Sequence, residues 1–341
     1  MNLRIYITAF IIAFLVFRWL FATKTDIIIL KNGDHITGEV KKLEYGRLSY
    51  STDDMGTVSV EWDKINYLWA KENFRVELDE GRFFYGSLGS DTTTGMILVI
   101  LDSLAAPLEK SKIVKMTPIK DTFKDRLDLS VNLGFNIFKA SNMRQLYYNA
   151  DAKYRTFKDY RHIYLSSTLT NQTDKETQRH DGSVSYNRIL KRKWFLNGLI
   201  SFAKNTEQGL NLRIAAGGGG GRNVIQTNSS ILVTGLGMQV NREYGQDSQG
   251  DKYNLEGIAT ITFDAFKYDT PKLDLKSDLN AYPNLSSWGR VRIDLNIELS
   301  WEIIKDLFWN LTFKNNFDSD PPTEGAEKNV YELIVSFGWK W

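Results

Sequence analysis

Large apolar residues alternate with polar or small ones along most of the second part of the chain. From Asn329 onward, Tyr331, Leu333, Val335, Phe337, Trp339 and Trp341 fall on one side, and Glu332, Ile334, Ser336, Gly338 and Lys340 on the other. A two-residue period of this kind belongs to a strand with one apolar and one wet face. Residues 126–138 repeat it, with Leu127, Leu129, Val131, Leu133, Phe135 and Ile137 opposed to Asp128, Ser130, Asn132, Gly134 and Asn136. Residues 290–301 repeat it again, and only Ser229 to Tyr244 shows no clear phase. Between Thr122 and the end, about twelve such segments of roughly ten residues follow one another, the length and even count of an antiparallel transmembrane β-barrel. The last strand is expected to pair with the one starting near Arg126, because closure removes edges that lipid would not tolerate.

The predicted connections differ on the two sides. Lys158-Asp159, Leu190 to Lys193 and Lys267 to Thr270 read as tight turns, whereas Asp174 to His180, Glu243 to Asp251 and Asp318 to Lys328 read as long polar loops. In bacterial outer-membrane barrels the short turns are periplasmic. Aromatics gather at strand ends: Trp194, Tyr268, Trp301, Trp309, Trp339 and Trp341 on the short-turn side, and Tyr147, Tyr253, Tyr282, Trp288 and Tyr331 on the other. Trp194, Trp288, Trp301, Trp309, Trp339 and Trp341 are the candidate membrane-interface residues, since amphipathic rings prefer that depth. Trp341 is also the candidate assembly signal.

The first part of the chain carries a different pattern. Arg4 followed by the apolar run Ile5 to Phe17 and by Ala22 has the shape of a secretory signal over residues 1–22, the alternative being an uncleaved anchor that is short for a bilayer. Residues 23–120 then read as a β module built twice, over about 26–72 and 74–120. Ile28, Leu30, Gly33 and Gly38 recur as Val76, Leu78, Gly81 and Gly86, and Val60 and Ile65 recur as Leu108 and Ile113 at the same offset. Each copy reads as a small bent barrel of the Sm-like or SH3-like kind, with glycine at its first turn. The aromatics Tyr45, Tyr50, Trp62, Tyr67, Trp69, Phe83, Phe84 and Tyr85 support a surface for a peptide, glycan or protein. The plainer reading is a folded collar at the barrel mouth. Residues 121–341 form the barrel.

Composition narrows the classes. With 341 residues, 42% hydrophobic content and a negative mean hydropathy, the chain is not a helical membrane protein. It has no cysteine, which excludes disulfides, thiolate metal sites and thiol catalysis. Glycine and aromatics are frequent and proline scarce, at 6 residues, as suits a sheet-rich chain. A net charge of +2 offers no argument for nucleic acid.

The wet strand faces carry charge of both signs: Asp151, Lys153, Arg155, Arg213, Glu256, Asp274, Lys276, Asp278, Arg290, Arg292, Asp294, Glu298 and Lys314. Either they line a conduit with local selectivity or they form an ion-pair network that fills the barrel. Lys276, Asp278, Arg292, Asp294, Glu298 and Lys314 form the candidate lumen cluster. Gly217 to Gly221 is not a phosphate loop, because no Lys-Ser or Lys-Thr follows it. His35, His162 and His180 lack metal-ligand spacing. His180 with Ser167 is the nearest approach to a hydrolytic pair, and a poor one. No catalytic residue, cofactor or metal is expected.

Leu30, Asn32, Gly33, Asp34, Gly38 and Val40, closed by Trp62 and Ile65, form an L-x-N-G-D-x-x-x-G-x-V…W-x-x-I pattern. Together with the terminal strands it resembles a domain-of-unknown-function family described as salt-induced outer-membrane proteins. The resemblance implies an outer-membrane barrel and no established activity. The sequence therefore predicts an all-β protein of the cell outer membrane with its first module in the periplasm. Its expected partners are outer-membrane lipid, the barrel assembly machinery and a periplasmic ligand or protein. The expected function is a non-enzymatic channel or envelope-adaptation protein. The alternative is a scaffold whose module binds a partner and whose barrel is an anchor. A soluble two-domain β protein is the competing architecture.

Overall fold

The computed structural model describes residues 24–339 except 92–93, 103, 120–121, 124–125, 140–141, 157, 173–174, 207–209, 246–251, 287–288 and 321–327. The signal expected over residues 1–22 lies outside the described residues, as do Trp288 and Trp341. The chain is all-β and divides into a 9-stranded and a 12-stranded antiparallel sheet.

The first sheet comprises β1 (Asp26–Leu30), β2 (His35–Glu44), β3 (Arg47–Ser51), β4 (Thr57–Glu61), β5 (Ile65–Leu78), β6 (Phe83–Asp91), β7 (Met96–Leu101), β8 (Leu104–Leu108) and β9 (Ile113–Pro118). The duplication is visible in its ladders. β1 leads through β2 and β3 to β4, a 3-10 turn follows at Trp62–Lys64, and the first half of β5 returns to β1. The second half of β5 then leads through β6 and β7 to β8, a 3-10 turn follows at Lys110–Lys112, and β9 returns to β5. One long strand thus serves both copies. Turn hydrogen bonds repeat as well: Gly33 N–H donates to Leu30 and Gly81 N–H to Leu78, while Lys31 N–H donates to Lys64 and Asp79 N–H to Lys112. Gly33 and Gly81 have φ of 94° and 85°, which explains why both copies keep glycine there.

The hydrophobic core cluster lies wholly in this sheet. Ile28, Val76, Leu78, Leu108, Ile65 and Ile113 are buried in it, so the repeated positions are core positions. Tyr50 and Trp62 are buried too, contrary to their reading as exposed binding aromatics. Each has a polar tip satisfied inside, Tyr50 Oη donating to Asp26 O at 2.6 Å and Trp62 Nε1 to Lys110 O at 2.9 Å.

The second sheet is a meander of β10 (Leu127–Phe138), β11 (Met143–Arg155), β12 (Asp159–Gln172), β13 (Lys175–Ile189), β14 (Trp194–Asn205), β15 (Leu210–Gln226), β16 (Ser230–Gly245), β17 (Lys252–Lys267), β18 (Leu273–Pro283), β19 (Val291–Ile304), β20 (Leu307–Asp318) and β21 (Asn329–Trp339). Each strand pairs with the next in sequence. Its apolar side chains do not make a core. Among the described residues, Ala215 and Phe266 alone are buried apolar residues here, while Leu129, Leu133, Ile163, Val184, Ile200, Leu236, Leu333 and Phe337 are exposed. The ambiguous strand β16 takes the same phase: Leu236, Met238 and Val240 share the apolar face, and Gln239 and Asn241 face inward.

One expectation needs correction. Residues 175–180 are not a loop, because β13 begins at Lys175, which pairs with Gln172. These residues carry no apolar alternation and still pair, since a strand that runs past an apolar belt needs polar side chains on both faces. Gly217 to Gly221 lies within β15 as an extended strand. A Cβ on Gly219 would stand 2.8 Å from Gly237 Cα, its register partner in β16, so glycine lets the two strands approach closely there. No ladder joins β21 back to β10 among the described residues, and both strands are exposed on their two faces. Among the described residues, all ladders of this sheet are hairpins between successive strands.

Candidate functional site

The candidate lumen residues of the second sheet share its inner face, as register shows. Asp264 pairs with Lys276, Lys276 with Glu298, and Asn296 with Lys314. The six residues of the candidate lumen cluster do not converge on one point. Asp278 accepts a hydrogen bond from Thr262 at 2.7 Å, and Lys314 lies 4.0 Å from Glu332. Arg292 is drawn away from Asp294 to Glu256 on β17, across the intervening β18, with Nε and Nη2 at 3.2 and 2.9 Å from the two carboxylate oxygens.

Glu256 is the centre the sequence did not single out. It is 2% exposed and also accepts from Gln239 at 2.7 Å and Asn241 at 3.0 Å. Asn254 donates to Asn241 and Asn284 to Asn254, while the Arg292 guanidinium lies 4.8 Å from the Tyr282 ring centre. Tyr282 is therefore a lumen residue rather than a rim aromatic. Tyr147 likewise turns inward, its ring over Gly134. A buried carboxylate is stable only with this degree of pairing. Alternation identified Glu256 and Arg292 as inward, but the amides of β16 were hidden by its unclear phase.

At the short-turn end the first module docks on the second sheet. Lys64 Nζ pairs with Asp269 at 2.8 Å, Asn228 Nδ2 donates to Ile113 O at 2.9 Å, and Tyr268 Oη donates to Tyr45 O at 2.7 Å. Arg47 stacks 3.6 Å from the Tyr268 ring centre, so Tyr268 belongs to the docking contact and not to a lipid girdle. Tyr45 meets Phe266 edge-on, and its hairpin turns through left-handed Tyr45 and Gly46, φ 52° and 65°. The pair of Lys64 with Asp269 raises the lysine and lowers the carboxyl.

Arg75 and Glu77 on β5 are each 4% exposed although they point away from the module core. The barrel mouth covers them, and a cavity of about 420 Å³ remains there, lined also by Glu44, Lys115, Arg155 and Lys193. Burial pulls the Arg75 guanidinium below its usual range against the pull of Glu77. Burial also raises the Glu77 carboxyl, opposed by Lys115, Arg75, a hydrogen bond with Gln226 and Lys193. At Glu44 burial again opposes ionisation, but Lys115 and Lys42 outweigh it and hold the carboxyl at about 2.

The other candidates are placed as follows. Trp194, Trp301 and Trp339 are exposed on the outer face at the short-turn end, with Trp309 paired to Trp301. Ser167 and His180 are cross-strand partners on the outer face, Oγ to Nδ1 at 2.9 Å. Their flanking amides belong to the ladder, which leaves no backbone oxyanion donors for hydrolysis. Glu61, Asp63 and Asp269 bring carboxylate oxygens within 4.8 Å of one another, and Lys64 balances this group from 3.5 Å at Asp63.

No curated protein matches the chain. A family model does match, over residues 129–341, which is the twelve-stranded part with its terminal strands and excludes the repeated module that carries the L-x-N-G-D pattern. By that match the chain belongs to the family of unknown function DUF481.

Proposed function

We propose that the protein is an outer-membrane β-barrel that conducts small polar solutes, with its first module on the periplasmic side. The observation that carries this reading is the inverted burial of the twelve-stranded sheet. Leu129, Leu133, Ile200, Leu236 and Phe337 stand out on the exposed face while Glu256 is buried on the opposite one. Water would penalise such a surface at about 25 cal/mol for each Å² left apolar, and hydrocarbon would not. In lipid the free edges of β10 and β21 must be paired, and we assign them to each other. Trp194, Trp301, Trp309 and Trp339 then lie at the periplasmic interface, with Trp341 as the assembly signal. Lipid and the assembly machinery are the partners this reading requires, and no step of it calls for catalysis, a cofactor, a metal or nucleic acid.

Half-buried inner residues such as Asp151, Lys153 and Asp294 support a wet lumen rather than an apolar one. The docked module supports a second reading, a scaffold anchored by its barrel, because it covers the mouth and buries Arg75 and Glu77 there. Planar-bilayer recording of the refolded chain separates the two. Discrete conductance steps are expected. A chain that stays closed at all voltages leaves the scaffold reading. Recovery of the protein in the soluble fraction, without heat-modifiable migration on a detergent gel, would overturn both.

A further inference from the structure

The cavity between module and barrel gathers basic side chains from four separate elements. Arg155 ends β11, Lys193 closes the turn between β13 and β14, Arg75 lies on β5 and Lys115 on β9. We propose that this cavity binds a small oxyanion, the phosphate or carboxylate group of a solute or of a lipid headgroup, held by Arg155 and Lys193 of the barrel, with Arg75 and Lys115 of the module adding positive charge across the cavity. The proposal goes beyond the conduit reading and does not require that the barrel conduct.

Three observations support it. The acidic groups of the lining are already engaged. Glu44 lies 2.6 Å from Lys42 and 3.0 Å from Lys115, and Asp159 accepts from Tyr186 Oη at 2.7 Å and Arg188 at 3.3 Å. The remaining carboxylate, Glu77, takes a hydrogen bond from Gln226 and is ion-paired with Arg75, Oε2 to Nη2 at 4.0 Å. Arg155 Nε is buried without a hydrogen-bond partner, while its guanidinium lies 5.3 Å from the Tyr160 ring centre. A guanidinium so placed is matched by the paired oxygens of a phosphate or carboxylate.

The third observation is the turn itself. Arg192 and Lys193 both adopt left-handed backbone, φ 58° and 66°. Such turns favour Asn-Gly, and each bulky residue there is strained. A turn that only joined two strands would gain by losing these side chains, so the lysine at this corner points to a use for its charge. The cavity also borders Trp194 at the edge of the apolar belt, within reach of a headgroup phosphate.

Titration calorimetry of the full refolded chain with inorganic phosphate, in phosphate-free detergent, tests the site. Saturable binding is expected, weakened about tenfold or more in Arg155→Gln/Lys193→Gln, as loss of charged hydrogen bonds implies. Lys193→Gly removes the charge and relieves the backbone, so it is expected to weaken binding without lowering the melting temperature. Lys204→Gln, on the outer face, is expected to leave binding unchanged. Absence of saturable phosphate binding, or equal affinity in the chain and in Lys193→Gly, would overturn the proposal. In vesicles of anionic phospholipid, loss of the phosphate signal identifies the headgroup as the ligand, and its persistence identifies a free solute.

Discussion

Trp62 and Lys110 are repeat equivalents, 48 residues apart, and they touch: Trp62 Nε1 donates to the Lys110 carbonyl at 2.9 Å. The Lys110 ammonium in turn lies 5.3 Å from the Trp62 ring centre and donates to the Ile65 carbonyl. The two 3-10 turns thus clamp each other.

That clamp makes Lys110 chemically distinct. Burial, aided by Lys31 and opposed by Asp63, lowers its amine from the ordinary 10.5 to about 8. Acylation followed by peptide mass mapping is expected to give a midpoint near pH 8 at Lys110 and a higher one at exposed Lys112, whose ammonium the hydrogen bond to Glu109 holds above its ordinary value. Trp62→Phe removes the indole donor and is expected to destabilise the module by about 1 kcal/mol in chemical unfolding.

Acid should loosen the module through Glu44. Its carboxyl, near 4.5 when unfolded, is held at about 2 when folded. A depressed folded value means that the stabilisation is complete above pH 4.5 and disappears as the pH falls towards 2. Over that window Glu44 contributes about 3 kcal/mol. Acid titration monitored by tryptophan fluorescence is expected to show a shallower loss of stability in Glu44→Gln, from a lower starting value at pH 7.

The Glu256 network predicts an asymmetry. Glu256→Ala leaves Arg292, Gln239 and Asn241 facing a void, with an expected cost of about 3–5 kcal/mol. Glu256→Met/Arg292→Met removes both charges and is expected to regain most of it. Urea unfolding in lipid vesicles measures the difference. Equal damage by the single and double variants would mean that the pair is not a closed unit.

Tyr268 makes two of the contacts that dock the module, with Tyr45 O and with Arg47. Tyr268→Ala is expected to weaken docking by about 1–2 kcal/mol, one hydrogen bond plus one cation–π contact. Hydrogen exchange is expected to quicken in residues 45–47 and to stay unchanged in β7, which lies outside the contact.

Much of this architecture was legible from one dimension. A period of two marks the faces of β10, β19 and β21 because side chains alternate wherever a strand has two different surroundings. The repeat was legible because Ile28 and Val76, or Ile65 and Ile113, occupy equivalent core positions. The pattern misled where a residue had a third surrounding. Tyr50 and Trp62 look like surface aromatics until their polar tips find carbonyls inside. Tyr268 sits where a girdle residue belongs, but a second module covers it.

The sequence by itself determined the class of each segment, the apolar face of the twelve strands, the duplication and the inward set of charges, because these depend on local periodicity and composition. Tertiary structure alone decided which inward groups meet. Whether Arg292 turns to Asp294 or to Glu256, and whether Arg75 and Arg155 share a cavity, depends on strand register and on how the module docks. No periodicity encodes a distance between strands, so those choices exist only once the sheets are packed.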